Sequence, residues 1–299
     1  MLLEDRVRHK EVIPIRMEHD FVETNGIKLH VIKAGPTEGP LVILLHGFPE
    51  FWYGWNHQID ELAQAGYCVW VPDQRGYNLS EKPKGLGAYS IDHLAADVIG
   101  LIDAAGRQKA VIVGHDWGAA VAWWTAATYP DRLERMVVIN VPHPTVMKRF
   151  VSRDKGQMLR SWYIGFFQLP WLPETLFRVG NWYAPARTLR STSRRGTFTE
   201  ADIQLYKEAW GQPRAFRAMV NWYRAALRRA PKRSAKARIT VPTLLIWGVR
   251  DQFLKREMAQ PSIDLCENGQ LIFHEKATHW VHHEEPKQVN AELIRFINS

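Results

Sequence analysis

The sequence predicts an α/β protein: a mostly parallel central sheet flanked by helices, with an all-helical segment inserted into it. Three observations carry this reading. Short apolar runs alternate with helix-like stretches, the order that packs helices on both faces of a parallel sheet. From Pro142 to about Lys236 the alternation stops, and the chain becomes helix-patterned and rich in Arg, Trp and Pro. The charge shifts there too. Residues 142–240 hold 20 Lys and Arg against 5 Asp and Glu, a surplus of +15, whereas the remainder carries −7 of the overall +8.

In chain order, "DFVETNGIKLHVI" has alternating segments on either side of Asn25-Gly26, a hairpin signal. "LVILLHG" is a continuous apolar run, as a strand buried on both faces requires. A helix is expected from about Gly54 to Ala65, then the strand "YCVWVPD", then a helix from about Ser90 to Ala105. "KAVIVGHD" reads as a strand, "WGAAVAWWTAATYP" as a buried helix ended by Pro130, and "LERMVVINV" as the sixth strand. After the insertion come the strands "PTLLIWG" and "GQLIFHE" and a last helix from about Pro286 to Ile297. The expected division is a core of residues 1–141 and 241–299, with residues 142–240 inserted after the sixth strand.

A chain of 299 residues, 46% hydrophobic and 23% charged, has the composition of a folded protein with a sizeable core. The N-terminal "MLLEDRVRHKEV" is charge-dense and lacks the apolar core of a secretion signal. The longest aliphatic run, Leu41 to Leu45, is far too short to span a bilayer. Cys68 and Cys266 lie in apolar contexts and are expected to be buried, reduced thiols, which favours a cytoplasmic location. A basic segment could meet nucleic acid or anionic lipid. No nucleic-acid motif accompanies it, so a solvated basic face is expected and nucleic acid is not expected as a partner. Self-association as a homodimer is left open.

Chemistry concentrates in "VGHDWGAA". Asp116 sits between a strand and a helix, with Gly114 and Gly118 two residues to either side. A nucleophile displayed on so tight an elbow needs small neighbours. Asp is also a preferred helix N-cap, so the octapeptide alone allows a structural reading. Its company favours the functional one. Elbow enzymes carry nucleophile, acid and histidine in that chain order. Asp251 follows the strand "LLIWG", and His279 lies in the loop after the next strand. An oxyanion hole needs two converging backbone N–H groups. Trp117, after the elbow residue, and Phe48, in the "HGFPEFW" loop after the third strand, are the candidates.

These motifs resemble the epoxide hydrolases of the α/β-hydrolase fold. The likeness runs from about Asp20 to Ile297 and rests on "HGFPE", "DQRGYNLSEKP", "GHDWGAA", "NWYR", "WGVRDQFL" and "THW". It implies that the helical insertion is a cap and that two cap tyrosines, Tyr163 and Tyr223, reach over the nucleophile. Without it, each tyrosine would read as a half-buried aromatic. Asp116 would then open an epoxide to an enzyme ester, the tyrosines would protonate the ring oxygen, and His279, oriented by Asp251, would activate the hydrolytic water. The apolar Phe48, Trp117, Phe166, Phe167 and Trp222 would line a tunnel for a small lipophilic epoxide. No cofactor or metal is implied, and the "HHEE" run at His282 to Glu285 lacks the spacing of a zinc motif. Asp73, Arg75 and His46 read as braces of the loop rather than as reacting groups. Asn78 departs from the usual "RGYG.S", and the residues after Tyr163 depart from the best-known pattern.

Two rivals remain at this stage. A haloalkane dehalogenase shares the Asp–Asp–His logic, but needs halide donors and lacks the tyrosine pair. A non-catalytic binder on the same fold would tolerate loss of a triad member, and none is lost here.

Overall fold

The computed structural model describes residues 16–235 and 237–299; the charge-dense stretch at residues 1–12 lies outside them. The chain opens with a hairpin, β1 (Glu18–Thr24) and β2 (Ile27–Ala34), paired antiparallel with Thr24 opposite Ile27. Asn25 and Gly26 take positive φ values of 47° and 72°, as a two-residue turn of this twist requires. Next come β3 (Leu41–Leu45), α1 (Asn56–Gln64), β4 (Cys68–Pro72), α2 (Ile91–Ala104), β5 (Ala110–His115), α3 (Trp117–Thr128) and β6 (Leu133–Ile139). A short 3-10 turn, Trp52–Trp55, occupies the start of the first expected helix.

Six helices then follow without a strand: α4 (Pro144–Arg153), α5 (Lys155–Arg160), α6 (Trp162–Phe166), α7 (Leu172–Thr192), α8 (Glu200–Gly211) and α9 (Ala215–Arg228). The chain returns to the sheet with β7 (Thr243–Gly248), α10 (Ala259–Ile263), β8 (Gly269–His274), α11 (Val281–Glu284) and α12 (Pro286–Ile297).

The eight strands are ordered β1-β2-β4-β3-β5-β6-β7-β8. From β4 to β8 every pairing is parallel; β2 meets β4 antiparallel. The order reverses direction around β3, and an open sheet binds ligands beyond the C-terminal strand ends near such a crevice. Strands β3, β4, β5 and β7 are buried at every residue, which explains their unbroken apolar sequence. One core lies on each face: Val42, Leu44, Trp55, Ile59 and Val113 on one side, Ile43, Leu45, Ile112, Trp123 and Trp247 on the other. The second continues into the helical segment through Trp210, Met219 and Trp222.

Candidate active site

Asp116 stands between β5 and α3 at φ 49° and ψ −121°. A residue with a Cβ holds such a backbone only where its surroundings enforce it, at a cost of about 1–3 kcal/mol. The flanking glycines do so. A Cβ on Gly114 would lie 2.4 Å from the Gly118 carbonyl oxygen, and one on Gly118 would lie 2.0 Å from that of Leu45. The elbow is thus wedged against the end of β3.

The same wedge brings the "HGFPEFW" loop onto the carboxylate. Phe48 N donates to Asp116 Oδ1 at 2.7 Å, while Asp116 Oδ2 faces His279 Nε2 at 3.5 Å. His279 Nδ1 is bonded to Asp251 Oδ2 at 2.7 Å. Asp251 is fixed in turn: its Oδ1 accepts from the amides of Phe253 and Leu254, and its Oδ2 from Asn140 Nδ2 at 2.8 Å. The three expected residues therefore converge, in the expected order. Asp251 is sealed, whereas Asp116 keeps 17% of its side chain accessible, so Asp116 is the carboxylate a substrate can reach.

Burial alone would push the Asp116 carboxyl up; the adjoining His279 and His115 and the Phe48 amide outweigh it and hold the group below its ordinary value. Burial would likewise push His279 down, but the Asp251 and Asp116 carboxylates on either side raise it to about 10. In the free protein the imidazole is held as a cation between two anions.

The helical segment covers this centre with aromatic rings. Tyr163 of α6 and Tyr223 of α9 lie 5.9 Å apart between ring centres. Tyr223 sits edge-on to Trp117 at 5.0 Å and to Phe48 at 5.3 Å. Tyr163 meets Phe253 at 5.9 Å, and Phe253 meets His279 at 5.2 Å. Burial, then the Asp116 charge, push both phenols well above their ordinary pKa, so both keep their protons.

The other expected lining residues differ in placement. Phe167 packs on Tyr223 at 4.8 Å and on Phe48 at 5.3 Å. Trp222 is buried beneath Trp117 with its indole donating to the Arg75 carbonyl, so it braces the site from behind. Phe166 turns to Phe177 and Trp162, one ring removed from the neighbours of Asp116. Phe253 and Phe216, the latter 6.0 Å from Phe48, were not singled out by the sequence. Asp73 and Arg75 are loop braces: Asp73 accepts from His30, the Trp52 amide and Asn78, and Arg75 forks onto Asp97. His46 Nε2 accepts from the Gln74 amide.

A second buried polar layer lies behind the triad. Glu50 bonds His115 at 3.1 Å, Tyr206 at 2.8 Å and His283 at 2.8 Å, and His115 Nε2 reaches the His279 carbonyl at 2.9 Å. These histidines outweigh burial and hold Glu50 well below the usual carboxyl range. The "HHEE" run thus divides. His282 and His283 turn to Glu50, bringing one donor atom from each of the three within 4.8 Å, while Glu284 bonds Thr278 and the Arg194 amide, and Glu285 bonds Arg194. Neither Asn140 nor the Glu50 cluster was given a role by the sequence.

The family model described as the alpha/beta hydrolase fold matches residues 40–286. The AB hydrolase superfamily protein YfhM of Bacillus subtilis is 49% identical over 93% of this chain and 97% of its own length. Epoxide hydrolase 1 of Caenorhabditis elegans is 34% identical over 99% of this chain and 74% of its own. An inhibitor-bound epoxide hydrolase of Bacillus megaterium superposes with a TM-score of 0.85 at 30% identity, covering 94% of this chain and all of that one. With the elbow, the sheet order and these likenesses in agreement, the chain belongs to the α/β-hydrolase fold family, in the branch that holds the epoxide hydrolases.

Proposed function

We propose that the protein hydrolyses lipophilic epoxides to vicinal diols through a covalent ester on Asp116. One observation carries this reading: an accessible carboxylate, gripped by an amide and faced by a histidine, beneath two paired phenols, Tyr223 buried and Tyr163 half-buried. An ionised carboxylate needs no base to attack carbon, whereas a serine would. Because Oδ1 is held by Phe48 N, Oδ2 is the oxygen that displaces the epoxide C–O bond. The departing alkoxide is strongly basic, and Tyr163 and Tyr223 supply its proton.

His279 then changes role. Esterification removes the Asp116 charge that helped raise its pKa, so the imidazole releases its proton to solvent, from which the spent phenol is reprotonated, and becomes a base. It deprotonates a water that attacks the ester carbonyl carbon. The negative charge builds on Oδ1, which Phe48 N already holds, and the Trp117 amide, next in the chain after the nucleophile, is assigned as the second donor; one such donor is worth about 3 kcal/mol. The diol leaves with the former Oδ2, and the water oxygen stays in Asp116. Asp251 keeps the imidazole oriented and stabilises its cation. Residues 142–240 serve as a cap over a core of residues 1–141 and 241–299. Phe48, Trp117 and Phe167 favour aryl or bulky alkyl epoxides.

Protonated phenols favour this reading over a haloalkane dehalogenase, since a departing halide needs no proton. Styrene oxide and 1-bromobutane separate the two. Diol from the first and no bromide from the second is expected, with Asp116→Asn inert; bromide release, or diol from Asp116→Asn at the wild-type rate, would refute it.

A further inference from the structure

The exposed apolar side chains are unevenly placed. Of the thirteen large ones exposed among the described residues, nine fall between residues 158 and 183: Met158, Leu159, Trp162, Leu169, Trp171, Leu172, Leu176, Val179 and Tyr183. Trp162 and Trp171 are 68% and 72% exposed, far beyond what a tryptophan at an ordinary surface retains. On α7, Leu172, Leu176 and Val179 stand at i, i+4 and i+7 and form one stripe, while Pro173 and Phe177 turn inward. Phe177 stacks on Phe166, and Phe166 meets Trp162, so α6 and the start of α7 lie side by side. Contiguous exposed apolar surface of this kind marks a docking face.

The charges around it say what docks there. Helices α4 to α7 contain eight Lys and Arg but only one acid, Glu174, with Asp154 between α4 and α5. Both acids are already engaged: Asp154 with Lys255, and Glu174 with Arg224. Lys148, Arg149, Arg153, Lys155, Arg178 and Arg187 are exposed. A second copy of this face would bring like charges together around the apolar contact. An anionic bilayer complements both parts, taking tryptophan and leucine into its interface and arginine and lysine at its headgroups.

We infer that α5, α6 and the first half of α7 dock the protein on anionic lipid bilayers. Under this inference the basic segment, expected from the sequence to be a solvated face, meets lipid headgroups. Helix α6 then has two working sides, Trp162 toward lipid and Tyr163 toward the covered site, which lies close to a phase in which lipophilic compounds concentrate. The docking itself does not depend on which reaction the site performs.

Co-sedimentation with vesicles tests it. The full-length protein should pellet with phosphatidylcholine vesicles containing 30% phosphatidylglycerol and remain in solution with phosphatidylcholine alone. Raising salt from 50 to 500 mM should release it. The triple variant Leu159→Ser, Trp162→Ser, Trp171→Ser should lower the bound fraction at least tenfold, and Arg153→Glu with Arg178→Glu at least fivefold. Unchanged circular dichroism and unchanged turnover of a water-soluble substrate would show that the variants are folded. Absence of binding to anionic vesicles at 50 mM salt, or equal binding by the triple variant, overturns the inference. So does a doubled solution mass that the triple variant abolishes without any vesicle binding, which would assign the face to a second copy of the chain.

Discussion

The sheet edge and the helical segment build one site by opposite means. At the sheet edge, position is imposed by backbone. Asp116 is locked on a strained elbow, Asp251 accepts two amides and the Asn140 side chain, and His279 is pinned from both ends. To the reacting centre the helical segment contributes side chains only, Tyr163 and Tyr223, held there by rings packed 5–6 Å apart, while polar contacts such as Trp210 to the Pro49 carbonyl, Tyr206 to Glu50 and Arg194 to Glu284 and Glu285 fasten the segment to the core. The difference suggests a division of labour. On the proposed mechanism, bond making and breaking at Asp116 needs fixed geometry, whereas protonating a leaving oxygen tolerates a looser wall.

The sharpest way to break this comparison is to remove one partner from each side. His279→Gln should lower multiple-turnover rates by about 10³–10⁴ while leaving ester formation in place. Mass spectrometry would then find a stable adduct on Asp116; an unmodified protein with normal turnover would contradict the role. Tyr163→Phe and Tyr223→Phe should each slow ester formation by about 10–100-fold, and the pair together by more. Neither should accumulate adduct, because the loss precedes the ester; stopped-flow fluorescence of the nearby Trp117 follows that step. If either variant trapped the ester, the phenols would belong to the second half-reaction and the division would fail.

A smaller effect sharpens the account of rigidity. Asn140→Ala removes a donor from the buried Asp251 and the acceptor of the Gly248 amide. It should cost about 1–3 kcal/mol of stability by urea denaturation. It should also slow ester hydrolysis more than ester formation, since on the proposed mechanism only the former uses the Asp251–His279 pair. Equal slowing of both steps would mean that Asn140 shapes the elbow rather than the acid.

What the sequence revealed and concealed follows the same line. The hairpin at Asn25-Gly26, the buried strands and the Asp116 elbow depend on neighbours a few residues away, so their signals are local. Asp251 and His279 were legible because strand order carries loops to one edge. The Glu50 cluster was not legible, since it joins Glu50, His115, Tyr206 and His283 from four segments that pattern does not connect. Asn140 had a weak signal, a polar residue at the end of an apolar strand, and its positive φ of 55° appears only in the fold. The kink in α7 had one too: Gly180-Asn181 is a turn dipeptide, and residues 179–182 leave the helical conformation there. Phe166 and Trp222 were expected to line the tunnel as apolar residues of a chain resembling the epoxide hydrolases. Packing sets Phe166 one ring away and turns Trp222 into a buried strut.

The central claim is that Asp116 is the atom donor to the product, and a single turnover in water enriched in oxygen-18 tests it most directly. With enzyme in excess over an epoxide, the diol should carry no label, and the Asp116 peptide should gain one heavy oxygen. Labelled diol from the first turnover together with an unlabelled Asp116 would mean that water attacks the epoxide itself, and the covalent account would be wrong.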